Sequence, residues 1–306
     1  MMPAVNGIQL THGADFTGRF NDFTLLAADN CYHQSAISKC ESGSVLVDTS
    51  LDQRYFLNEI DSYRIRNVIN RIAKSDYPNC SSLIRRAVVK NGIVKKFHLD
   101  GFVGGLLERQ DQPVFAKLIA VTNHMSKKLS HIAGNNEIYS YQTILYPSTT
   151  LGRPLHLDRH DKSRSHQDCR SIKAFMNLSP NSFRIWGIGP TRSFLIERLN
   201  QMCDRQGLPR INFSSIDSSK RSYPSWFDFK WDGCNLNHPV SIINEYLNNN
   251  FLSKADIKGQ FDIVYYDSFA MLVVDSKQVS HKPMYGELGV SVDMVYNKID
   301  SLVKVA

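Results

Sequence analysis

The stretch "PLHLDRHD", residues 154–161, gathers two histidines and two aspartates shortly after the pair Thr149 and Thr150. Imidazole and carboxylate groups are both ligands for divalent cations. His156 and Asp158 stand as H-x-D, and alternate residues of an extended chain point to the same side. One imidazole and one carboxylate from a single strand can therefore converge on one ion. A lone H-x-D equally suits a solvated turn, so the metal reading needs a third ligand. His281 offers one, 123 residues after Asp158 (281 minus 158), and it reads as lying in a short turn at the entrance to the last apolar strand, "GVSVDMVYN". His160, Asp161 and His166 read as a solvated loop, with a role in a second metal shell or a substrate contact as their functional alternative.

These residues need elements to hold them. From residue 138 onward the pattern is that of strands: "IYSYQTILY", "SIKAFMNLS", "FDIVYYDS", "AMLVVDS" and "GVSVDMVYN" are rich in β-branched and aromatic residues. Between "SFRIWGIG" and "FDIVYYD" lies an insert, taken as about 191–258, with a helix "SFLIERLNQMCDRQG" ending at Gly207 and a second, "PVSIINEYLNNNFLSKADI". Ahead of residue 138, "GSVLVDTS" reads as a strand and "YFLNEIDSYRIRNVINRIAK" as a helix. The segment "PVFAKLIAVTNHMSKKLSHI" sets Phe115, Leu118, Ile119, Val121 and Met125 near one face, which predicts an amphipathic helix opened by Pro113. The expected fold class is α+β in one domain, 1–306, with 1–137 as a helical and strand buttress and 138–297 as the core.

Composition sets the outer bounds. The chain has 306 residues, 42% apolar and 21% charged, the profile of an ordinary globular protein. No run of 18 apolar residues is present, so no membrane-spanning helix is expected. The N-terminus lacks a basic stretch leading into an apolar one, and the six cysteines form no C-x-x-C pair, so reduced thiols in a cytoplasmic protein are expected. A net charge of +7 admits an acidic partner, but the basic residues are scattered in pairs and build no stripe, so nucleic acid is possible without being indicated.

Two histidines and one carboxylate leave several positions open on the ion, which suits non-haem Fe(II) in oxygenases, where cosubstrate and O₂ must both bind. With "HLD" at 156–158, a long interval and a distal His281, the sequence resembles the Fe(II)/2-oxoglutarate-dependent dioxygenases over residues 138 to 297. "FHLDGF" at 97–102, followed by a helix, and "SIKAFMNL" are similar to the phytanoyl-CoA dioxygenase-like branch, and "GVSVDMVYN" to the Jumonji-C branch. The resemblance implies a double-stranded β-helix (a jelly roll, cupin-like) with His156, Asp158 and His281 as iron ligands and 2-oxoglutarate as cosubstrate. It also implies hydroxylation of a substrate, small molecule or macromolecule, that the sequence does not name.

The sequence departs from the family in one place. Many members carry an arginine about ten residues after the distal histidine to pair with the far carboxylate of 2-oxoglutarate. Here that position is Ser291, and no arginine follows His281. Lys173 is the expected substitute, as in Jumonji-C-like members, with Arg170 in reserve and hydroxyls from Thr150, Tyr141 or Ser291 as helpers. Two other readings stay open: a metal-dependent hydrolase using the His/Asp cluster at 156–166 to activate water, and a non-catalytic jelly-roll binding protein. The tyrosines 139, 141 and 146 and Trp186 read as sheet packing.

Overall fold

The computed structural model describes residues 8–10, 21–26, 34–48, 57–74, 83–90, 93–97, 107–133, 137–146, 155–158, 170–207, 210, 243–244, 246–247, 262–266 and 270–297. In chain order the elements are β1 (Ile8–Leu10), β2 (Phe23–Leu26), α1 (Gln34–Glu41), β3 (Val45–Asp48), α2 (Glu59–Ala73), β4 (Leu83–Lys90), β5 (Ile93–Phe97), α3 (Gln112–Ala133), β6 (Glu137–Tyr146), β7 (Arg170–Asn177), β8 (Arg184–Thr191), α4 (Arg192–Arg205), β9 (Asp262–Tyr266), β10 (Met271–Asp275), β11 (Val279–Tyr285) and β12 (Gly289–Asn297).

The strands form two sheets. The larger runs β2-β3-β10-β7-β12-β6-β4-β5, antiparallel throughout except for β2 beside β3. The smaller runs β1-β9-β8-β11 and is antiparallel. Period-two alternation divides the larger sheet into two faces. Ile172, Ala174 and Met176 of β7, with Val290, Val292 and Met294 of β12, join one buried cluster with Ile65 and Val68 of α2 and Leu118, Val121 and Met125 of α3. Phe175 of β7 and Leu272 and Val274 of β10 instead meet Trp186 and Ile188 of β8 and Val264 of β9. The sheets thus share an apolar interior, and α1, α2 and α3 cover the outer face of the larger one. Each such Leu, Ile or Phe taken fully out of water contributes about 1.5–3 kcal/mol.

The long helix α3 follows its sequence closely. Pro113 sits at its second position, where a missing N–H costs nothing. Phe115, Leu118, Val121 and Met125 are buried as expected, with Ile119 partly covered at the margin. Lys128 then ties α3 to the sheet through an ion pair with the buried Asp48 of β3 at 2.5 Å. In α4, the Thr191 hydroxyl accepts from the Phe194 N–H at 3.3 Å as an N-cap. Gly207, at φ +68°, follows the end of the same helix as its sequence predicts. The second insert helix, 239–257, lies largely outside the described residues. Of those described, Ile243, Tyr246 and Leu247 pack with Leu195 and Leu199 of α4.

One expectation is corrected. His281 does not lie in a turn before the last strand. It sits inside β11, and the turn is Ser276–Gln278, where Asp275 Oδ1 accepts from the N–H groups of Lys277 and Gln278 at 2.9 and 3.2 Å. Pro283 is what hides the strand in the sequence. Proline is tolerated at a sheet margin, and β11 ends the order of its sheet, flanked beyond, among the described residues, by a single bridge to His156.

Candidate metal centre

The H-x-D segment enters the structure as four described residues, Leu155 to Asp158, and alternation sorts them. Leu155 and Leu157 are buried among Leu195, Leu199 and Leu247, so they face the insert. His156 and Asp158 consequently turn the other way, toward β11. Every backbone N–H of the triplet is engaged. His156 N–H donates to His281 O at 3.2 Å, and His281 N–H returns a bond to His156 O at 2.9 Å. Leu157 is held by the Asn244 side chain, whose Oδ1 accepts from Leu157 N–H at 2.7 Å and whose Nδ2 donates to Leu157 O at 3.0 Å. Asp158 N–H donates to Ser276 O at 2.8 Å.

This lattice brings one ligand atom each of His156, Asp158 and His281 within 4.8 Å of one another. His156 Nε2 lies 3.6 Å from Asp158 Oδ1, and His281 Nε2 lies 3.8 Å from Asp158 Oδ2. Two bonds of about 2.1 Å to one ion span such separations. The tautomer of His281 is also set. Its Nδ1 lies 3.0 Å from the Val279 carbonyl, which can only accept, so Nδ1 carries the proton and Nε2 presents a lone pair. Burial pushes the His281 imidazole down to about 3, with the Asp158 carboxylate opposing only part of the shift, so the ring is neutral and ligand-ready. Burial alone would raise Asp158. The Lys173 ammonium, a hydrogen bond from His156 and the two imidazoles outweigh it and hold the carboxyl well below the usual range. Two imidazole nitrogens and an ionised carboxylate fit a divalent cation. Side-chain exposure falls from 25% at His156 to 15% at Asp158 and 2% at His281, so the site is open on the His156 side and closed behind His281.

Lys173 lies on the inner face of β7 with Phe175. It is buried, and its Nζ donates to Asp158 Oδ2. Ser291 is buried on β12 beside Phe175 in the register. One step along, the buried Asp293 accepts from Ser171 at 2.6 Å and pairs in register with Lys173. Thr150, His160, Asp161 and His166 lie outside the described residues, as do the side chains of Tyr141 on β6 and of Arg170 at the start of β7.

Two residues escaped the sequence reading. Asn244 grips the middle of H-x-D from deep in the insert, and nothing in "SIINEYL" signals it. Arg184 opens β8 almost fully buried, and Gly286 and Gly289 make room for it: a Cβ on Gly286 would lie 2.6 Å from Arg184 Cγ, and one on Gly289 2.6 Å from its Cζ. Trp186, read as packing, does pack, with its ring centroid 4.0 Å from that of Phe175 and 5.8 Å from that of His281.

No known family profile matches this sequence, and no curated protein sequence matches it. Solved structures do. The Kdo hydroxylase KdoO, described as a non-haem Fe(II) α-ketoglutarate-dependent dioxygenase, superposes in its cobalt(II) complex with a TM-score of 0.52 and 14% identity, covering 90% of this chain and 89% of that one. Its complex with α-ketoglutarate and Fe(III) gives a TM-score of 0.51 at the same identity and coverage. This chain shares the KdoO fold.

Proposed function

We propose that the protein is a non-haem Fe(II)- and 2-oxoglutarate-dependent dioxygenase that hydroxylates its substrate. The observation that carries this reading is the convergence of His156, Asp158 and His281 on one point at the mouth of a β-sandwich. The KdoO fold supports it. The order of strands supports a double-stranded β-helix core: β6, β7, β10 and β12 lie in the larger sheet, while β8, β9, β11 and the bridge at His156 lie in the smaller. In this reading residues 1–306 are one domain, with 1–137 as buttress, 138–297 as core and 191–258 as an insert that shapes the substrate entrance. No helix among the described residues is long and apolar enough to cross a membrane, and a cytoplasmic enzyme is proposed.

His156, Asp158 and His281 would hold the iron. With 2-oxoglutarate and O₂, iron supplies an oxidant able to take hydrogen from an unactivated C–H bond. The chain's own residues bind, orient and exclude water. The Val279 carbonyl fixes the His281 ring, Ser276 and Asn244 fix the H-x-D backbone, and Phe175 with Trp186 keeps the interior dry. A carboxylate at 158 fills the third ligand position, which favours hydroxylation over halogenation. Lys173 is the cation for the far carboxylate of 2-oxoglutarate, with Thr150, Tyr141 and Ser291 as hydroxyl partners. The substrate is a small molecule or a macromolecule presenting a C–H bond at the His156 side.

The test is uncoupled turnover: Fe(II)-loaded protein is given 2-oxoglutarate and O₂, and succinate is measured. Slow succinate formation, lost in His281→Ala, is expected. No succinate from wild type, together with metal-dependent hydrolysis of a model ester, would replace this reading with the hydrolase.

A further inference from the structure

Trp186 sits on the inner face of β8, with Val264 of β9 and Pro283 of β11 as its register partners. Its ring lies among the side chains that back the metal centre. Phe175, against which it packs, is 5.3 Å from the His281 ring and 5.7 Å from Lys173 Nζ. The residue is 2% exposed, and its indole Nε1 is buried without a hydrogen-bond partner among the described residues. An indole N–H is a donor only, and leaving one buried and unmatched costs about 1–3 kcal/mol.

The other polar groups of this wall are matched. Lys173 donates to Asp158, Ser171 to Asp293, and His281 Nδ1 to Val279. The side chains that share its interior cluster, Phe175, Ile188, Val264 and Val279 among them, offer the indole N–H no acceptor. A carboxylate entering beside the metal answers it well, since a bond to a charged acceptor is about twice as strong as a neutral one. The last strand offers no arginine, and Lys173 already spends one donor on Asp158.

We infer that the Trp186 indole N–H is a cosubstrate-binding donor, completing with Lys173 the grip on the far carboxylate of 2-oxoglutarate. This rests on the dioxygenase reading above. A phenyl ring at the same place would pack against Phe175 but could not donate.

The test uses the full chain loaded with diamagnetic Zn(II) and labelled with ¹⁵N. The three tryptophans give three indole N–H resonances, and Trp186→Phe identifies one by its disappearance. On saturation with 2-oxoglutarate that resonance should move downfield. Trp186→Phe should still bind one Zn(II) but bind 2-oxoglutarate roughly tenfold or more weakly, the loss of one hydrogen bond to a charged group. The resonance is read in the wild-type protein, so the result does not depend on how well the variant folds. A resonance that stays in place while wild type binds 2-oxoglutarate overturns the assignment and leaves the dioxygenase reading intact. Failure of wild type to bind 2-oxoglutarate overturns both.

Discussion

His156 and His281 are cross-strand partners that exchange backbone hydrogen bonds of 3.2 and 2.9 Å, and their rings lie 4.9 Å apart between centroids. Two imidazoles 125 positions apart in sequence (281 minus 156) are thus set by the same bridge that joins the H-x-D segment to β11. The separation of the two donors is a property of the backbone, with Asp158 reaching in from two residues along.

His281→Ala removes the most buried of the three donors while leaving the backbone bridge in place. It should abolish stoichiometric Co(II) or Fe(II) binding, measured by titration and by metal analysis after gel filtration. Asp158→Ala should do the same and also lower the melting temperature of the metal-free protein, because it strands the buried Lys173 ammonium. One equivalent of metal retained by both variants would mean that the ligands lie elsewhere.

Lys173→Met removes a cation that touches Asp158 and that the proposed function assigns to the cosubstrate. At neutral pH the variant should keep its metal and bind 2-oxoglutarate at least about tenfold more weakly, roughly 1.4 kcal/mol. Without the ammonium, burial is less opposed and the Asp158 carboxyl rises. Metal release on acidification should then begin at a higher pH than in wild type. An unchanged release profile and an unchanged affinity would assign Lys173 to packing alone.

Asn244→Ala leaves both backbone groups of Leu157 without the amide that holds them. Loss of such support around metal ligands costs about 10–100-fold in affinity. Co(II) affinity should fall by at least the lower figure, with the secondary structure seen by circular dichroism unchanged. Wild-type affinity in this variant would show that the bonds to His281 and Ser276 suffice.

Acid should destabilise the metal-free protein over a defined window. His281 is pushed down to about 3 in the folded state, from an ordinary value of 6.5. Between those values the unfolded chain binds a proton that the folded chain does not, so stability rises with pH across the window and is lost as pH falls. Asp158 acts in the same direction: its depressed carboxyl contributes stability above the ordinary carboxylate range that is lost as pH falls toward its folded value. Urea midpoints between pH 4 and 7 should decline steadily toward acid in wild type and more shallowly in His281→Phe. Identical slopes would refute the assignment of this window to His281.

Much of the centre is legible in the sequence because period-two alternation is local. It puts His156 and Asp158 on one side of their segment and the two flanking leucines on the other, and it turns Lys173 inward with Phe175. The helical spacing of α3 buries its apolar residues for the same reason. Alternation fails at β11, where Pro283 breaks the apolar pattern and the strand is recognised only through its pairing with β8.

By itself, then, the sequence determined which residues could ligate a metal, which face of each strand they occupy, and that no arginine follows His281. Those are properties of residue type and of the backbone repeat, fixed within a few positions along the chain. Only the tertiary structure decided that His281 pairs with His156, that Asn244 holds Leu157, that Arg184 lies over Gly289, and that the Trp186 N–H is buried without a partner among the described residues. Each of these depends on register between segments far apart in sequence, which is set by how the two sheets and the insert close on one another and not by any local propensity.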